Sequence, residues 1–257
     1  MNGFKINFRL KDFDNIIPFG EKPNLSLHWF GLTDGLLWID VGTQTLYEYS
    51  DSAKKYFKSD QRYNEYYLSR FMEDFFATFE QVGESIPKEL YDCLGRDEHP
   101  FKESDELDFD EYCELFEWRE DRTFDSAHLT GGPTIGCFRH GESIKIVWES
   151  DFAPDGKNSI WTAPKGCFET SYDEFVLSVK KFCDEFFAAM NRQVENVSNA
   201  KPKGVFIDLD LLAKENAERK AEFLRCISFL ENNASVTDWN KIFSLYAKSN
   251  ETKKYSE

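Results

Sequence analysis

Phe4, Ile6, Phe8 and Leu10 alternate with polar residues, the two-residue period of a half-buried strand. Ile17-Pro18-Phe19-Gly20 breaks it. From Leu25 to Tyr49 the chain is rich in aromatic and β-branched residues, with Leu37, Ile39 and Val41 alternating. Thr33-Asp34-Gly35 and Gly42-Thr43-Gln44 punctuate this stretch, which predicts an antiparallel meander of short strands. Between Tyr63 and Val82 the spacing changes to three and four. Leu68, Phe71, Met72, Phe75, Phe76 and Phe79 draw one wide apolar stripe along a helix that ends at Gly83 and Pro87.

Strand periodicity returns over Thr134 to His140, turns at Gly141-Glu142, and continues through Ile144, Ile146 and Trp148, with a further short run after Asp155-Gly156 through Trp161. Ser171-x-x-Glu174 reads as a capping box. Behind it Phe175, Val179, Phe182, Cys183, Phe186, Phe187 and Met190 repeat the helical stripe. After the hinge-like Asn199-Ala200-Lys201-Pro202-Lys203-Gly204, Leu212, Ala217, Ala221, Leu224 and Ile227 predict one helix. Thr237-Asp238 caps another carrying Trp239, Ile242, Phe243 and Tyr246. The prediction is therefore an α+β fold, with antiparallel sheets of short strands covered by Phe-rich amphipathic helices. Residues 1–200 form its core and 201–257 a helical C-terminal extension. Hairpin strands followed by a Phe-rich helix occur in both 1–95 and 118–200, joined by the segment 97–117. Two halves of that kind fit an internal duplication or two unrelated units, and the periodicity leaves both open.

Composition adds charge to this picture. The 257 residues carry a formal net charge of −16, and over residues 97–125 thirteen acids face three bases. Residues 201–257 are nearly neutral, with ten bases against nine acids. A field of this sign repels phosphate backbones and anionic lipid headgroups and attracts basic proteins. Nucleic-acid and membrane partners are not expected. Polar residues interrupt every candidate leader at the N-terminus, and no apolar run reaches the length of a membrane span. Six scattered cysteines without a C-x-x-C pair fit reduced thiols, so a cytoplasmic location is expected.

No phosphate-binding glycine loop or nucleophile elbow is present, and no cofactor is expected. His128, Cys137 and His140 fit no common zinc spacing, and Asp105 to Glu111 lacks the glycine and terminal Glu of a calcium loop, so no metal is expected. Gly131-Gly132-Pro133 makes a turn. Trp29, Trp38, Tyr47 and Tyr49 could stack on a sugar or a base, though core packing suits most of them. Asp125 and His128, with Arg122 and Arg139, offer an acid, an imidazole and two anion-binding forks, the ingredients of a small-molecule enzyme. The plainer reading makes Arg122 and Asp125 a structural ion pair. The acidic stretch suggests a different class of function. Asp105, Glu106, Asp108, Asp110, Glu111 and Glu114 are interleaved with Phe109, Tyr112 and Trp118, combining electrostatic steering with aromatic anchors. Inhibitors of basic proteins, such as immunity proteins that block toxins, work in this way. An exposed acidic helix with one buried aromatic face would show the same pattern.

Trp29-Phe30-Gly31-Leu32-Thr33-Asp34-Gly35, continuing through Trp38-Ile39 to Val41-Gly42, resembles the opening motif of a bacterial family known only as a domain of unknown function. Trp118, Arg122, the run Phe124 to Leu129, Pro133, Arg139, Trp148, the stretch Asp208 to Leu224 and Asp238-Trp239 agree with it. The resemblance spans most of the chain and implies one continuous architecture and a bacterial origin, without an activity.

Overall fold

The computed structural model describes residues 3–95, 107–200, 202–232, 234 and 236–250. In chain order the strands are β1 (Phe4–Leu10), β2 (Leu25–Ser26), β3 (Asp34–Val41), β4 (Gln44–Leu46), β5 (Asn64–Tyr67), β6 (Thr123–Asp125), β7 (Thr134–His140), β8 (Ser143–Glu149), β9 (Lys165–Ser171) and β10 (Val205–Phe206). The helices are α1 (Trp29–Leu32), α2 (Asp51–Phe57), α3 (Leu68–Ala77), α4 (Phe79–Val82), α5 (Lys88–Cys93), α6 (Phe109–Glu120), α7 (Tyr172–Ala200), α8 (Leu209–Glu231) and α9 (Trp239–Asn250). The fold is α+β, as the periodicities predict.

In the first sheet β3 pairs antiparallel with β1 from Phe4↔Val41 to Leu10↔Gly35. Its other edge is shared by β4 and β5. Gly35 permits the close approach of β1, because a Cβ there would lie 2.5 Å from the Arg9 carbonyl oxygen. The second sheet is a plain antiparallel meander, β6-β7-β8-β9. Where the short β6 ends, the chain at Ser85 and Ile86 takes over the edge of β7, and the Ile86 amide donates to the Arg139 carbonyl at 2.8 Å.

One aromatic core joins the sheets. The α7 stripe supplies Phe182, whose ring lies edge-on to Phe8 of β1 (5.6 Å) and to Phe71 of α3 (6.1 Å). Phe75 meets Phe124 of β6 at 5.1 Å. α8 belongs to the same buried cluster through Leu212, Phe223, Ile227 and Leu230, with Phe223 between Phe76 (5.0 Å) and Phe187 (5.9 Å). Edge-to-face arrangements of this kind add to the burial of large apolar area. A second cluster covers the opposite face of the second sheet. There α5, α6 and α9 pack Leu90, Leu115, Trp118, Ile242 and Leu245 around Phe138.

The local differences from expectation have physical causes. Asn64–Tyr67 is strand rather than helix, because it completes the free edge of β3. Trp29–Leu32 is a helical turn inside the predicted meander. The helix over 68–82 breaks at Thr78, whose hydroxyl donates back to the Phe75 carbonyl at 2.8 Å. Ile160 and Trp161 make only an isolated bridge to Tyr49. The predicted cap is half formed: Ser171 Oγ accepts from the Glu174 amide, while Glu174 Oε2 accepts from Thr170. The hinge-like stretch does not separate the tail, since Val205–Phe206 pairs parallel to β2.

Between the two clusters lies a buried ion pair. Arg122 is fully buried, and its Nη2 donates to Glu84 Oε2 at 2.5 Å while Nη1 donates to the Trp118 carbonyl at 2.6 Å. Glu84, 3% exposed, also accepts from the Val236 and Thr237 amides, the Thr237 hydroxyl and Trp239 Nε1. This carboxylate therefore ties the end of α4 to the C-terminus of α6 and the start of α9. Removing one partner strands the other charge in the interior, which costs about 3–5 kcal/mol. Glu84→Ala is expected to lower the unfolding free energy by about that amount in urea denaturation followed by circular dichroism. Lys180→Ala, which removes a solvent-exposed pair with Glu231, is expected to leave the midpoint nearly unchanged.

Candidate partner-binding face

α6 begins with a complete capping box. The Asp108 side chain accepts from the Glu111 amide at 2.8 Å, and Glu111 Oε2 accepts from the Asp108 amide at 3.2 Å. Asp110 and Glu111 in the first turn also suit the positive end of the helix dipole. From this start the residues of α6 divide among three faces. Leu115 and Trp118 point into the second cluster and are buried. Glu111 and Glu114 turn to α9 and pair with Lys248 and Lys241. Lys248 holds the Glu111 carboxyl below its usual range, helped by the Asp108 amide. The remaining stripe, Phe109, Asp110, Cys113, Glu117 and Glu120, faces solvent, and Phe109 is 80% exposed.

Among the predicted binding residues, Asp108, Phe109 and Asp110 are thus exposed, and Tyr112 is half-buried against Phe116 at 4.5 Å. Glu111 and Glu114 are committed to ion pairs within the chain. Trp118 is no surface anchor, being 2% exposed and packed edge-on against Phe138 and Trp239. Asp105 and Glu106 lie outside the described residues. Sequence reasoning missed Glu84, which sits in no motif. It also missed Lys241 and Lys248, although their seven-residue spacing places both on one face of a helix.

The four residues of the enzyme reading do not converge on one site: Asp125 and His128 are near enough to interact electrostatically, while Arg122 and Arg139 are committed elsewhere. Arg122 is paired with Glu84 and not with Asp125, because the chain turns it inward just before β6. Arg139 donates to the Gly83 and Gly141 carbonyls and lies 4.0 Å over the Tyr172 ring. Asp125 is exposed on β6. His128, in the turn after β6, faces α3, its Nδ1 3.7 Å from Asp74 and its ring 5.0 Å from Tyr66. The zinc candidates are dispersed as well: Cys137 is in the core and His140 Nδ1 donates to the Ile86 carbonyl.

The motif residues of the first half are used in packing. Trp29 is buried, and its Nε1 donates to Asn216 of α8 at 3.0 Å. The Thr33 hydroxyl donates to the Phe30 carbonyl and meets Ser69, and Asp34 pairs with Lys11 at 2.7 Å. Tyr47 is buried, while Trp38 stacks on Tyr63 and Tyr49 on Trp161.

Partial burial holds the His128 pKa below its usual 6.5, against the pull of Asp74 and Asp125 and with the help of Arg70. The unfolded chain therefore binds a proton at this site before the folded one does, so stability falls as pH drops through about 6.5. Denaturant midpoints measured from pH 7.5 to 5.5 are expected to fall less steeply in His128→Gln than in the parent.

No helix among the described residues is long and apolar enough to cross a membrane. Comparison with curated proteins and with solved structures finds no match. A family model described as "Family of unknown function (DUF5984)" matches residues 5–245. That span runs from the first strand into α9, and the chain belongs to this family.

Proposed function

We propose that this protein is a cytosolic bacterial binding module of the immunity or inhibitor type, and that it recognises a basic protein through the outward stripe of α6. The observation that carries this reading is Phe109, 80% exposed beside Asp110, on a helix whose other faces are already committed to the core and to α9. An exposed aromatic ring among carboxylates suits a basic surface: the charges steer the encounter and the ring supplies an anchor once water is excluded. The net charge of −16 extends the same attraction beyond the contact.

The carboxylates that test this reading are those not holding α9. Asp110→Asn, Glu117→Gln and Glu120→Gln together are expected to slow association about tenfold at low salt and to flatten its salt dependence. Phe109→Ala is expected mainly to speed dissociation. The partner would be captured from host lysate at low salt, identified by native mass spectrometry, and measured by surface plasmon resonance. Recovery of a stoichiometric basic protein that the triple variant binds at the parental rate would refute the reading.

A further inference from the structure

Among the described residues, the outer face of the second sheet is only partly covered. α5 and α6 lie over Phe138 and Lys145, and Lys145 Nζ donates to the Tyr91 carbonyl beneath them. Strand alternation and register place Thr123, Asp125, Thr134, Gly136, Val147 and Glu149 on the same face. These six residues line an open groove of about 540 Å³. Arg119 of the last turn of α6 stands on one side, and Gly131, Gly132 and Asp151–Phe152 form the other.

The groove is preformed. The Gly131 carbonyl accepts from Ser150 Oγ at 2.8 Å and from Trp161 Nε1 at 2.6 Å. A Cβ on Gly131 would lie 2.4 Å from Phe152, and one on Gly132 would lie 2.0 Å from the Ser126 carbonyl oxygen, so this rim is closed up against its neighbours. On the floor the Phe138 ring lies where a side chain on Gly136 would stand. Asp125, Glu149 and Asp151 are exposed along it, and Glu149 pairs with Lys165 at 3.1 Å. Among the described residues of the lining, Arg119 is the one cation.

We propose that this groove is a binding subsite for a short arginine- or lysine-bearing segment of a protein. The occupant's cationic head would lie between Asp125 and Asp151, with its methylene stem along the half-buried Val147 and Phe152. Charge complementarity selects the head. The apolar walls accommodate the stem that long basic side chains carry, which inorganic cations lack. Because the rim is held before binding, little ordering cost opposes association. The subsite adjoins the last turn of α6, so a basic partner seated on the outward stripe can reach it. The inference rests on the reading above only in taking that partner to be basic.

The test uses the full chain and a defined probe, the capped tripeptide acetyl-Arg-Gly-Arg-amide, titrated at low salt and followed by the amide signals of Gly131, Gly132 and Gly136 in nitrogen-15 NMR. Saturable shifts at these glycines are expected. Affinity should fall about fivefold in the Asp125→Asn, Asp151→Asn double variant, the size of a partly exposed charge pair removed. The α6 triple variant should titrate as the parent does. Shifts confined to other parts of the chain, or unchanged affinity in the double variant, would overturn the subsite. Spermidine saturating the same signals as tightly as the peptide would overturn its assignment to a protein segment. A groove that titrates normally while the α6 variant leaves partner binding unaltered would remove the function proposed above and keep this one.

Discussion

Glu84 sits where three separate parts of the chain meet, and its burial sets the placement of α9. A carboxylate this far from water is tolerable only when its lone pairs are filled and its charge is balanced. Arg122 does the balancing, while the Val236 and Thr237 amides, the Thr237 hydroxyl and the Trp239 indole fill the remaining acceptor sites. Trp239 is thereby held against Trp118, and the rest of α9 follows along α6. That position brings Lys241 and Lys248 onto Glu114 and Glu111. A buried pair thus decides which carboxylates of the acidic helix remain outward.

Helix α6 divides its residues among three faces, turned to the core, to α9 and to solvent. Its apolar residues are too few to make a continuous stripe, since Leu115 and Trp118 are the ones fully buried. Packing alone holds it weakly, and the capping box and the two lysine bridges supplement that packing. Apart from Asp110 at the helix dipole, the outward stripe makes no such contribution.

Much of the architecture was legible because burial leaves a period. The stripes of α3 and α7 and the alternation of β1, β7 and β8 all appear where the spacing puts them. What periodicity could not supply was pairing between distant segments. Asn64–Tyr67 continues a helical stripe and yet becomes a strand, because β3 offers an unpaired edge. β9 gives little signal because none of its residues is fully buried, so its sequence need not alternate apolar with polar. The candidate site was legible in part. The acidic helix and its cap could be read from Asp108 and Glu111, but whether a given Glu or Trp faced water depended on α9, more than a hundred residues later. Arg122 and Asp125 lie three apart in sequence, and proximity in sequence suggested a pair that the fold replaces with Glu84.

The placement of the Trp29 to Gly35 segment bears on how relatives of this chain are recognised. Trp29 is anchored to α8, Thr33 closes a helical turn, Asp34 holds Lys11, and Gly35 lets β1 lie close. All four requirements are internal to the scaffold. A search guided by that signature therefore retrieves chains able to build the same frame, and it is blind to the surfaces by which two such chains would differ in what they hold.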